Sequence, residues 1–259
     1  TSVNAIEDKP YVAPTERKKI IELREKRGQW VGEKYRVEFS KLGSLSFISH
    51  LDLQKIMARI FKRAEIEHLY SEGYKTRPLI SFGPALTLGV SSLSEFFDIR
   101  VPKPWENLDV MLDLLQKHSE KGIEFKSITK LENKATSIQM AAKSFTYYMQ
   151  LKNEAQKEDA LKLLNDRTEI LVDSFSKKLQ KNIKKDIKPF IQKAYIGKLD
   201  LPEQTLNIID EVSPCMGEGV FIEALVDQGS SVRPSELVAM FKMNGIETEK
   251  PIKAGIDLV

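Results

Sequence analysis

A single cysteine, Cys215, serves all 259 residues of the chain. No disulfide can close within it, which suits a reducing, cytoplasmic compartment. A cysteine-held iron–sulfur cluster is excluded on the same ground, because it takes several thiolates. Histidine is almost as scarce. His50, His68 and His118 are the only three, and none stands at the spacing of a zinc-ligand pair. No apolar run approaches the ~20 residues of a membrane-crossing helix, and no signal peptide is visible at the start. A glycine-rich phosphate loop, a serine elbow and a Cys/His nucleophile pair are also missing. The expectation is a chain with no metal, no cofactor of its own and no membrane partner. It opens at Thr1 without methionine, as a processed product or a piece of a longer polypeptide would.

Net charge is weak as well, at +3, so nucleic-acid binding does not follow from overall charge. Its distribution is uneven. Lys177, Lys178, Lys181, Lys184, Lys185, Lys188, Lys193 and Lys198 face only Asp186. Asp200, Glu203, Asp210, Glu211, Glu218, Glu223 and Asp227 then run without a base before Arg233. The plain reading of the Lys177 to Lys198 segment is a solvated helix face followed by an acidic loop. The functional reading is a surface for a polyanion or a partner.

What is present is an alternation of strand and helix signals. Residues 1–33 read as a linker and a helix from Glu16 to about Arg27. Tyr35, Val37 and Phe39 alternate with polar residues as a half-buried strand. Ser49 and Asp52 form a cap for a helix carrying Leu53, Ile56, Met57, Ile60, Phe61 and Ala64. Short strands follow at Leu69-Tyr70 and Leu79 to Phe82, and another over Phe96 to Val101. A helix opens at Pro104 and runs to about Glu120, before a strand over Ile123 to Leu131. In the second half, strands are expected at Phe145 to Leu151, Glu169 to Phe175, Gly219 to Val226 and Ile252 to Leu258. Helices are expected at Ala155 to Leu164 and from Pro234. The order implies an α+β chain of two ferredoxin-like subdomains, with antiparallel sheets and helices packed on one face. They span residues 34–133 and 144–259.

Candidate binding residues concentrate between residues 49 and 99. Ser49 and Asp52 are structural caps, and His50 follows in the first helical turn, where free N–H groups favour anions. Lys55, Arg59, Lys62 and Arg63 recur at three- and four-residue steps along one helix face. Tyr70, Tyr74, Lys75 and Arg77 add aromatic and cationic groups near by. Such a mixture can neutralise phosphates and stack on single-stranded RNA; an ordinary solvated surface would have the same composition. Asp52, Glu72, Glu95 and Asp98 are carboxylates that could serve an acid–base site with His50.

Leu45-Ser46-Phe47-Ile48-Ser49-His50-Leu51-Asp52, Arg63-Ala64, Ser71-Glu72-Gly73-Tyr74, Pro78-Leu79-Ile80-Ser81-Phe82 and Leu86 to Ser92 resemble the radical-SAM-linked family of unknown function. Asp186 to Ile191 and Ser231 to Leu237 are similar to its C-terminal signature. The resemblance runs from about Lys34 to the last residue. It departs where the family usually reads Gly-Phe-Asn-Pro-His-Pro and this chain has Gly73-Tyr74-Lys75-Thr76-Arg77-Pro78; Arg77 replaces a histidine.

The resemblance implies an accessory domain, fused to or encoded beside a radical S-adenosylmethionine enzyme, with the iron–sulfur cluster and S-adenosylmethionine held only by that partner. Together with the cationic and aromatic residues, it implies a non-catalytic domain that recognises tRNA or rRNA for modification. Two alternatives stay open: a protein-interaction module that docks the radical enzyme or a peptide substrate, and an independent enzyme using a carboxylate/His site.

Overall fold

The alternation at Tyr35, Val37 and Phe39 carries through a nine-residue strand, β1 (Glu33–Lys41), in a computed structural model that describes residues 32–70, 78–176, 180–227 and 229–258. The expected helix at 16–27 and the loop residues Tyr74, Lys75 and Arg77 lie outside the described residues. After β1 come α1 (His50–Arg63), β2 (Ile80–Phe82), β3 (Ser91–Val101), α2 (Leu108–Lys117) and β4 (Phe125–Leu131). A short helix, α3 (Ile138–Ala141), leads to β5 (Ala142–Gln150), α4 (Lys157–Asn165), β6 (Leu171–Ser176) and β7 (Lys181–Asp186). Then follow β8 (Ile191–Lys198), α5 (Glu203–Asp210), β9 (Glu218–Leu225), α6 (Pro234–Met243) and β10 (Ile252–Leu258). The chain is α+β, with a mostly antiparallel sheet and six α-helices among the described residues.

Several elements differ from the sequence reading. Lys177 and Lys178 lie outside the described residues, and the rest of the lysine-rich segment forms no α-helix: β7 pairs with β6 in a two-stranded ribbon, and β8 is an edge strand of the large sheet. The acidic stretch holds α5 rather than a loop. Pro104 does not open a helix; Asn107 caps α2 by accepting from the N–H groups of Asp109 and Val110. Tyr70 makes a single bridge to Pro78 in place of a strand.

The two halves build one sheet, not two. Its order is β4-β1-β3-β10-β5-β9-β8, with β2 also on β3. In the first half the strands lie β4-β1-β3-β2. The second half repeats that order as β10-β5-β9-β8, with the β6–β7 ribbon and α5 added between elements. The join is short. Ile252 and Lys253 of β10 pair in parallel with Ser91 and Ser92 of β3, while β2 pairs further along the same edge at Phe97 to Ile99.

Side-chain direction shows which faces are covered. Glu95 stands opposite Phe39 and Lys253 opposite Tyr147, and Glu95 and Lys253 touch, so all four share one face of the sheet. On that face α1 and α2 cover the first half, around Phe39, Phe61 and Phe97, and α4 and α6 cover the second, around Met149, Leu164 and Phe241. α1 contributes Leu53, Ile56, Met57, Ile60 and Phe61 at helical spacing, each worth about 1.5–3 kcal/mol when fully buried. Gly122 turns the chain beneath this layer at φ +92°, where a Cβ would stand 2.6 Å from the Leu42 carbonyl oxygen.

The opposite face is covered in its middle by α5. Ile209 packs there with Leu42, Leu93, Tyr148, Ile252 and Cys215. Burial first, and Asp210 second, push the Cys215 thiol up to about 11. A thiol with so little thiolate reacts slowly. Labelling of the folded protein by a thiol reagent at neutral pH is therefore expected to run at least tenfold slower than in denaturant, and equal rates would show that Cys215 is accessible. No helix among the described residues is long and apolar enough to cross a membrane.

Candidate functional site: a cleft at the seam

A trough opens over the middle of the sheet, beside the β3–β10 join. Its floor is Lys253, Phe145 and Tyr147. The loop after β2 walls one side with Pro84, Ala85, Leu86 and Thr87; the ribbon supplies Ser174, Phe175, Ile183 and Lys185. Phe190 and the turn before α6 complete a cleft of about 520 Å³. That volume lies within the ~300–1,000 Å³ of small-molecule sites.

The lining is lopsided in charge. Lys185, Arg233 and Lys253 face the cleft, and no carboxylate does among the described residues. The carboxylates sit behind the lysines. Lys253 donates to Glu95 at 2.8 Å, with both residues buried. Lys185 donates to Glu236 at 2.9 Å and to the Ser231 carbonyl at 2.9 Å. Both ammonium groups also lie over rings, Lys253 at 4.7 Å from the centre of Phe145 and Lys185 at 5.0 Å from that of Phe190, an attraction of about 0.5–2 kcal/mol.

A bulge in β3 aims Glu95 into this group. The register passes from Phe39 opposite Glu95 to Lys41 opposite Ser92, an extra residue on the β3 side. Ser92 closes the bulge by donating to the Ser94 carbonyl at 3.1 Å. Lys41 is buried behind Glu95 and donates to the Ile48 carbonyl at 3.1 Å. Burial lowers its affinity for a proton, and the Glu95 carboxylate works against that lowering.

Glu236 and Tyr147 have settled protonation states. Burial pushes Glu236 up, but the Arg233 N–H, Lys185 and Ser174 outweigh it and hold the carboxyl below its ordinary value. Burial raises the Tyr147 phenol well above its usual range, helped by Glu95 and Glu236. Tyr147 is thus a protonated donor on the cleft floor. No group of His, Cys, Asp and Glu fit to hold a metal occurs among the described residues.

A family profile matches residues 34–231 of the chain. The chain belongs to DUF2344, a family of uncharacterized proteins conserved in bacteria. The DUF2344 match begins at Lys34, as the resemblance implied, and ends before α6 and β10. It contains the loop at 84–87, the ribbon and Phe190, but not Arg233 or Lys253. The motif expected at Ser231 to Leu237 falls outside it apart from Ser231. No curated protein matches the chain.

Within the DUF2344 region, the sequence-predicted residues divide. Ser49 accepts from the Asp52 N–H at 3.1 Å and donates to its carboxylate at 2.7 Å, so the cap forms. Lys55, then Ser49, hold the Asp52 carboxyl below its ordinary value. His50 turns inward, its ring edge-on to Phe82 at 5.4 Å. It lines a small inner pocket of about 20 Å³ with Lys41, Glu95 and Leu86, beside the cleft. That is room for about one water. Lys55, Arg59, Lys62 and Arg63 lie on the opposite, exposed face of α1. Lys55 pairs with Asp52 at 2.9 Å and Arg63 with Glu120 at 2.6 Å; Arg59 and Lys62 have no ion pair among the described residues. Tyr70 is exposed and packs on His68 at 4.7 Å.

Glu95 and His50 thus share a pocket, while Asp52 faces outward and Asp98 is bound by Lys34 and Arg36. Lys185 belongs to the lysine-rich segment whose functional reading is a polyanion or partner surface, whereas the sequence reading gives Arg233 and Lys253 no binding role. A usable signal existed for one of them: Lys253 is a charge inside a strand flanked by apolar residues.

Proposed function

We propose that this chain is a non-catalytic, cytoplasmic recognition domain that presents tRNA or rRNA to a radical S-adenosylmethionine enzyme, fused to it or separate. The iron–sulfur cluster and S-adenosylmethionine belong to that partner. The observation that supports RNA recognition is the lining of the seam cleft: three cations, several aromatic rings and no carboxylate. RNA asks for that combination, positive charge for phosphate and ring faces for unstacked bases. The two carboxylates near by are each bound to a lysine, which favours binding over proton transfer. The exposed face of α1, with Arg59 and Lys62 unpaired among the described residues, adds a second cationic surface. The link to a radical enzyme rests on the motif resemblance from Leu45 to Ser92.

The test is binding of total cellular RNA across a salt series. Binding should fall with salt, by about 0.7 in log K per log unit of salt for each phosphate contact to a single strand. The Arg59, Lys62 and Arg63 triple alanine variant should lose affinity and part of that slope. An absence of binding at low salt would overturn the RNA reading and leave protein docking as the stronger one.

A further inference from the structure

We infer that the seam cleft is a pocket for one nucleoside monophosphate unit, unstacked from its neighbours, with its phosphate toward Lys253, Lys185 and Arg233 and its base on Phe175. The inference rests on the RNA reading for the source of that unit, and goes beyond it in naming the ligand and its seat.

Charge comes first. Around the cleft stand four cations, Lys41, Lys185, Lys253 and Arg233, against two carboxylates, Glu95 and Glu236. His50 adds a titratable ring from α1 at the inner pocket. Lys41 and Lys253 are both buried, and they face one carboxylate between them. Surplus positive charge in a poorly solvated site is unfavourable until an anion neutralises it. Arg233 supplies the planar, two-pronged donor that suits a phosphate. It is exposed at the mouth and has no ion partner among the described residues.

Shape and apolar surface then narrow the anion. Inorganic phosphate or a simple carboxylate would leave most of the 520 Å³ unfilled. Phe145 and Phe190 are already covered by lysine ammonium groups. Phe175, by contrast, is 48% exposed at the lip and packs on no other ring among the described residues. It is a platform for a planar group. Tyr147, held protonated, offers a donor at the floor, and Thr87 and Ser230 offer hydroxyls at the wall. An aromatic ring with a phosphate attached uses all of these groups, and polar base edges meet the hydroxyls.

Calorimetry of the full chain tests this with the four nucleoside 5′-monophosphates, their parent nucleosides and inorganic phosphate. At least one monophosphate should bind more tightly than both its nucleoside and phosphate. Phe175→Ala should weaken it by about fivefold to a hundredfold, the worth of one base–aromatic stack. Arg233→Ala should also weaken it, and should remove most of the preference over the nucleoside. Both side chains are exposed, so thermal melts should be little changed and loss of binding will not reflect unfolding. Phosphate binding as tightly as every monophosphate, or no saturable heat with any of them, overturns the pocket. RNA binding without monophosphate binding sinks the pocket alone. Monophosphate binding without RNA binding keeps the pocket, sinks the RNA reading and makes a free nucleotide the ligand.

Discussion

Lys253→Ala is expected to destabilise the protein by about 3–5 kcal/mol, the cost of breaking a buried ion pair and leaving one charge behind. Glu95 is 7% exposed and its 2.8 Å partner is Lys253. Lys41 cannot take over without giving up its bond to the Ile48 carbonyl. The loss should appear as a lower midpoint in urea unfolding, and the second change Glu95→Leu should restore part of it, because it removes the unpaired carboxylate but also takes the nearby counter-charge from buried Lys41. Rescue by Glu95→Leu would show that the pair is not needed for folding, which leaves its place on the cleft floor as the reason for burying it. A single variant that melts like the wild type would mean that Glu95 is solvated, and the seam would be looser than described.

Phe97→Ala is expected to cost a similar ~3–5 kcal/mol, by loss of buried surface and creation of a cavity. Phe97 is fully buried in β3 and packs against Phe39, Phe61 and Phe82 at 5.7 Å between ring centres. It therefore ties β1, α1 and β2 together. Phe82 is also where β2 gives way to the loop that walls the cleft, and His50 leans on it. The variant should thus lose ligand affinity as well as stability, whereas a Phe in the second half's core should affect the loop less. Hydrogen exchange at Gly83, whose N–H donates to the Phe96 carbonyl at 2.9 Å, would separate the two effects. Unchanged protection there would mean that the loop does not depend on Phe97.

The parts of the fold that were legible in the sequence obey one local rule at a time. β1 alternates because one face is core, and α1 shows a cap followed by a clean apolar stripe. The misread elements break those rules for physical reasons. Lys181, Lys184, Lys185 and Lys188 recur at helical spacing, yet β7 is a ribbon strand exposed for much of its length, so its polar residues are no obstacle. In β8 a register shift between Ile191 and Lys193 interrupts the alternation. α5 buries only Ile209 fully, too little for a visible stripe. The start of β3 is serine-rich, with Ser91 and Ser92 buried at the seam and Ser94 donating to Glu38 of β1; read alone, they look like a loop.

The cleft was hidden for a related reason. At the start of β10 Ile252 packs under the sheet and Lys253 lies on the cleft floor, so two neighbouring residues are both buried and no alternation singles out the lysine. His50 could be found from the sequence, although not its inward turn. The cationic face of α1 was legible as a face. That Arg63 has an acidic partner was not, since Glu120 is 57 residues away from it.

The strand pairing at the seam sets the order in which this molecule can become competent. Glu95 and Lys253 are 158 residues apart in the chain, and contacts that close such long loops form late and slowly. During synthesis the first half can gather its own core while the ribosome is still making β5. The cleft floor, however, stays unfinished until β10 has emerged and slotted in between β3 and β5. A nascent or clipped chain without β10 would thus keep the cationic helix of the first half and still lack the pocket. Ligand binding would report that both halves have been made and joined.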